Sequence, residues 1–162
     1  MPASYELVNG EVIAQMGQNM PHASVVTEIV DCLIQACGKR FVVTQASIDV
    51  APEDNPTSEP APDVIVLTRP KSEIITRPVP RDIRLLVEVS DTTLSYDLDE
   101  KGPLYARAGI GEYWVADVNR RELHRHTEPR GGFYSRVVVL AASDRLSLPS
   151  GAETTVDTLF GR

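Results

Sequence analysis

Pro62-Asp63, Glu88 and Lys101 are the residues from which a phosphodiester-cleaving site could be built. Each acid stands at the edge of a short apolar run, Val64-Ile65-Val66-Leu67 after Asp63 and the stretch from Ile83 to Val89 around Glu88. Runs of this kind read as buried strands. An ionised carboxylate there is costly unless a cation or a set of donors compensates it. A phosphodiester resists hydrolysis because the attacking and non-bridging oxygens repel one another, and a divalent cation neutralises that charge and acidifies a coordinated water. Mg²⁺ (or Mn²⁺) prefers hard oxygen ligands and keeps several waters, so two carboxylates and one carbonyl suffice. Asp63 and Glu88 are the expected carboxylate ligands and the Val89 carbonyl the expected third. Lys101 would orient the attacking water or stabilise the transition state as a point charge.

Each residue also has a plainer reading. Asp63, after a proline, can simply open a strand with its carboxylate in water. Alternation puts Glu88 on the face of Leu86, opposite Val87 and Val89, so that face either opens to a cleft or buries a carboxylate with a partner. Lys101 follows Asp97 by four residues, the favourable order for a helix-surface salt bridge. His22 could contact substrate or metal, or could cap and pack. Glu28 suits a solvated helix face better than the site. His124 and His126 alternate along a strand and point to one side, with no third ligand evident. Tyr113-Trp114 suits the core better than a base-stacking platform, and Tyr105 either shapes a cleft or packs.

A chain of 162 residues, 42% hydrophobic and 24% charged, is expected to fold as a single domain, 1–162, around one core. No apolar run reaches membrane-spanning length, and the start has neither a basic patch nor an apolar stretch. The expectation is a cytoplasmic protein with no membrane partner. Cys32 and Cys37, five apart in a helical pattern, read as reduced core residues rather than a disulfide or zinc site. The net charge of −7 weighs against a nucleic-acid partner, whose affinity comes from protein cations. The charge is uneven, at −5 over residues 45–63 and +3 over both 69–84 and 120–136.

The positioning elements follow from periodicity. Residues 5–16 read as a β-hairpin across Asn9-Gly10. Pro21 suits the first turn of a helix whose apolar positions Val25, Val26, Ile29, Val30, Leu33, Ile34 and Cys37 recur at 3.6 residues, with Gly38 as the stop. Residues 41–44 and 47–50 read as extended, and 51–62 as a loop. Strands are expected at about 63–67 and 83–90, joined by a long hairpin loop or short helix. Asp91-Thr92-Thr93 offers capping side chains to a helix over 95–108, with a kink or restart at Gly102-Pro103. A strand over 112–117 and an antiparallel pair over 121–126 and 134–140 complete the order.

Read in order, several blocks resemble the Uma-two family of restriction endonucleases. They are Tyr5-Glu6-Leu7-Val8-Asn9-Gly10-Glu11, Pro21-His22-Ala23, Pro62-Asp63-Val64 and Leu86-Val87-Glu88-Val89-Ser90. The most specific block runs from Asp97 through Lys101, Pro103, Tyr105-Ala106 and Ala108-Gly109-Ile110 to Glu112-Tyr113-Trp114. The match covers roughly residues 5–126. The resemblance implies an α/β fold of the PD-(D/E)XK superfamily, with a restriction-endonuclease-like core in which helices flank a central mixed β-sheet. It implies that Asp63 and Glu88 bind the metal. The superfamily's usual Glu-x-Lys would place lysine at position 90, where Ser90 stands, and Lys101 matches the position at which this family carries one. DNA is the implied substrate, and a homodimer follows by analogy with enzymes that cut both strands. A catalytically silent binding module, or a metal-dependent hydrolase of a non-DNA phosphoester, competes with this reading. The acidic charge favours those alternatives, and the joint presence of the two acids and the lysine favours the nuclease.

Overall fold

The computed structural model describes residues 4–15 and 19–161. Met16 of the expected hairpin lies outside the described residues. Strands β1 (Ser4–Val8) and β2 (Glu11–Gln15) pair antiparallel across Asn9 and Gly10, whose φ values of 49° and 83° meet the demand of a type I′ turn. Helix α1 (Met20–Cys37) begins where the Asn19 side chain accepts the His22 N–H, carries Pro21 in its first turn and stops at Gly38, φ 96°.

The central sheet has six strands in the order β3 (Val42–Thr44), β4 (Val64–Leu67), β5 (Ile83–Ser90), β6 (Glu112–Asp117), β7 (Glu122–Arg130) and β8 (Phe133–Leu140). All neighbours are antiparallel except β5 and β6, so the sheet is mixed. A parallel pair needs a crossover. Here it comprises α2 (Leu94–Tyr96), a wide π-helical turn over Asp97–Lys101, and α3 (Gly102–Arg107). Alternation sorts the strand residues cleanly between two cores. Val64, Val66, Leu85, Val87 and Trp114 face α1 through Val25, Ile29 and Leu33. Ile65, Leu86, Tyr113 and Val115 face α3 through Leu104 and Tyr105. Strands β9 (Arg145–Ser147) and β10 (Glu153–Thr155) with α4 (Val156–Leu159) close the α1 side. Among the described residues, no helix is long and apolar enough to cross a membrane.

Four expectations change. Residues 47–50 form no strand, because the Ile48 and Asp49 N–H groups donate to the carbonyls of Pro60 and Pro78, which have no N–H to return for a ladder. The helix expected over 95–108 does restart at Gly102-Pro103, where α3 begins, but the turn before it is π-helical rather than α-helical. Gly102 N–H reaches back five residues to Asp97 O, and Pro103 offers no N–H to continue a regular ladder, so the turn widens. Its expected side-chain cap is also absent, since no side-chain bond caps α2 at Thr93. Strand β7 runs on to Arg130, past the end of its pairing with β6 at Thr127, which frees Pro129 from donating on that side.

The β4–β5 connection is a hairpin loop with two 3₁₀ turns, and the buried Asp82 closes it. The Asp82 carboxylate accepts Arg69 Nε at 2.9 Å and Val79 N–H at 3.0 Å. Burial would raise its pKa, but these two hydrogen bonds and the guanidinium charge outweigh it and hold the group below its ordinary value of 3.8. A depressed carboxyl contributes stability that is present above the unfolded value and lost as pH falls through the folded one. Asp82→Ala should cost about 1–3 kcal/mol in urea unfolding at neutral pH. That gap should narrow as the pH drops below 3.8; a gap independent of pH would contradict the assignment.

Candidate active site

Asp63 and Glu88 meet because Val64 pairs with Val87 across β4 and β5, and the residue on either side of that pair is an acid. The two interlock. Asp63 N–H donates to Glu88 Oε1 at 3.3 Å, and Val89 N–H donates to Asp63 Oδ2 at 2.7 Å. Glu88 lies on the Leu86 face and is only 3% exposed. A carboxylate is thus buried with partners, at the floor of a cleft of about 270 Å³ lined also by Asp63, Val89 and His22.

Lys101 is not a surface residue. It is 3% exposed, and its Nζ lies 2.8 Å from Glu88 Oε2 and 2.9 Å from Glu6 Oε1. Asp97, the expected i,i+4 partner, is 3.9 Å away. Asp97 instead accepts hydrogen bonds from Ser90 Oγ and, at 2.8 Å, from Thr93 Oγ1. The serine at the usual lysine position therefore anchors the first turn of the crossover. Tyr105, fully buried, packs in the core and also donates its hydroxyl to Glu88 Oε2 at 3.0 Å. Tyr113 donates to the Asp97 carbonyl at 2.9 Å, helping to hold the π-helical turn open.

Glu6 is the residue that sequence reasoning passed over. It is buried in β1, accepts the Ala61 N–H at 3.1 Å and completes the cage around Lys101. Its signal was strand alternation, which places it on the same face as the buried Val8.

His22 enters the cleft from the start of α1. Its Nε2 is 2.7 Å from the Val89 carbonyl, an acceptor only, so Nε2 carries the proton and donates. The same nitrogen is 3.8 Å from Asp63 Oδ2, while Nδ1 is buried without a partner. Glu28 lies apart from this cleft, against Gly161 and near Asp31. Cys32 and Cys37 are free thiols packed against the α1 core. Tyr113 and Trp114 are fully buried, Trp114 Nε1 donating to Glu112. His126 packs between Tyr113 and Tyr134, whereas His124, for which no further ligand was evident, has Asp117 and Glu122 beside it.

The electrostatics carry a clear imbalance. Glu6, Asp63, Glu88 and Asp97 crowd around the single ammonium of Lys101. Burial raises the carboxyls of Asp63 and Asp97 and lifts that of Glu88 well above the usual range. Burial also works against the Lys101 ammonium, but Glu88, Glu6 and Asp97 outweigh it and hold the lysine charged. The surplus negative charge, the hard oxygen donors of Asp63 and Glu88 and the adjoining Val89 carbonyl fit a divalent cation. Away from the cleft, four of the ten cations in the two basic stretches are tied to acids. Arg69 pairs with Asp82, Arg77 with Asp49 and Glu59, Arg121 with Asp157, and Arg125 with Glu112.

The fold is similar to that of a protein from Anabaena variabilis described as a putative nuclease belonging to DUF820. The two share 14% identity at a TM-score of 0.70, covering 99% of this chain and 93% of that one. At that identity the likeness is one of fold. No curated protein matches the chain. A family model does, over residues 1–158, and its description is "Putative restriction endonuclease". With nearly its whole length inside that match, and with the sheet and flanking helices of a nuclease-like fold, the chain belongs to the Uma2 family.

Proposed function

We propose that this protein is a Mg²⁺- or Mn²⁺-dependent endonuclease that hydrolyses DNA phosphodiester bonds. The observation that carries this reading is the buried Lys101 ammonium held against Glu88 beside Asp63. Asp63, Glu88 and the Val89 carbonyl would hold the ion, which supplies charge neutralisation at the phosphate and acidification of water. Lys101 remains protonated and offers Nζ as a donor to the attacking water or to a phosphoryl oxygen. Glu6 helps Glu88 keep that ammonium in place. Tyr105 and the Asp63 N–H fix the two Glu88 oxygens, and Ser90 with Thr93 fixes Asp97. His22 orients the Val89 carbonyl. The acidic cleft repels a polyanion, so on this reading nucleic acid engages only the cation-loaded protein. By analogy with enzymes that cut both strands, a homodimer is the working assembly on this reading.

Plasmid and single-stranded DNA incubated with the protein should be cut in Mg²⁺ or Mn²⁺ and spared in EDTA. Asp63→Ala, Glu88→Ala and Lys101→Met should each lower the cleavage rate by on the order of 100-fold or more. Variants that cut like the wild type would overturn the site. Metal binding without cleavage of any nucleic acid would shift the reading to another phosphoester, and neither binding nor cleavage to a silent module.

A second measurement concerns stability. Lys101→Met strands two buried carboxylates and should cost about 3–5 kcal/mol in urea unfolding without metal. Mn²⁺ at roughly 100 times its Kd should stabilise the wild type by about 2.7 kcal/mol, and Asp63→Asn should remove most of that gain. An unchanged gain in Asp63→Asn would place the ion elsewhere.

A further inference from the structure

Strands β6 and β7 turn into one another between Asp117 and Glu122, which sit directly opposite in the ladder. His124 follows two residues on, so alternation puts all three side chains on one face of the sheet. Their ligand atoms lie within 4.8 Å of one another. Like charges facing each other across a strand pair repel. Among the described residues, neither carboxylate has a lysine, arginine or histidine nitrogen within salt-bridge distance. Asp117 is only 3% exposed, and its Oδ1 is aimed by the N–H groups of Asn119 and Arg120 at 3.0 and 3.1 Å.

A second, independent observation comes from the histidine. His124 Nε2 is shielded from solvent and has no hydrogen-bond partner. A shielded ring nitrogen without a partner, on an imidazole that lies beside two unneutralised carboxylates, is costly unless something binds all three residues. A divalent cation does so: it accepts the nitrogen lone pair and separates the two negative charges.

We propose that Asp117, Glu122 and His124 form a second cation site, separate from the Asp63–Glu88 cleft and suited to a borderline transition metal such as Zn²⁺. The imidazole ligand selects against Mg²⁺, which takes oxygen donors almost exclusively. The site is structural in character. Its turn is fastened to the end of β5 by Val118 N–H on the Ser90 carbonyl at 3.0 Å and by Asn119 Nδ2 on the Asp91 carbonyl at 2.8 Å. Ser90 holds Asp97, and Asp91 lines the cleft, so an ion here stiffens one wall of the first site without touching it.

Zn²⁺ titrated calorimetrically into the full chain tests this, with the Asp63→Ala/Glu88→Ala double variant alongside. The double variant should retain one equivalent. Glu122→Gln and His124→Gln, made on the wild-type background, should each weaken that equivalent by about tenfold or more. Histidine ring ¹⁵N spectra of the wild type give a readout that needs no substitution: the His124 Nε2 resonance should move on Zn²⁺ addition. Zn²⁺ binding unaltered in both single variants, no retained equivalent in the double variant, or an unmoved His124 resonance would each overturn the proposal. None of these outcomes depends on nuclease activity.

Discussion

The burial of one ammonium between two carboxylates organises this molecule's centre. Lys101 comes from the crossover, Glu88 from the middle of the sheet and Glu6 from the N-terminal hairpin, and each has given up water to meet the others. Buried ion pairs of this kind add little net stability over apolar packing, yet removing one partner is severe because the other is left charged and dry. The arrangement therefore acts as a demand for correct geometry more than as a source of stability. It also explains the surrounding hydrogen bonds. Tyr105, Ala61 N–H and Asp63 N–H each satisfy a lone pair that the ammonium leaves over.

Much of this was legible in the sequence wherever a single strand or helix decided the outcome. Alternation alone placed Glu88 on the Leu86 face, and the 3.6-residue stripe from Val25 to Cys37 marked the buried side of α1. Pro62-Asp63 gained its meaning from the strand it opens and from the family resemblance together. The supports of the site were much less legible, because local patterns pointed elsewhere. Asp97 looked like the partner of Lys101 at i,i+4, but an intervening π-helical turn changes the phase of the helix and hands the lysine to residues 13 and 95 positions away. Glu6 looked like an ordinary hairpin residue because nothing in its neighbourhood reveals what docks on it.

The failed strand at 47–50 teaches the same distinction. Ile48 and Val50 are buried, so their apolar character was read correctly, but the backbone pairs with carbonyls of prolines and not with a strand. Burial pattern reports which side chains leave water. It does not report what the peptide groups find when they do.

The spread of the central residues along the chain also means that no local segment can assemble them. Glu6 and Lys101 are separated by 95 positions, so closing the loop between them costs chain entropy that other contacts must offset. Docking of the N-terminal hairpin is thus an interlock: the cage around Lys101 is complete only once β1 supplies Glu6.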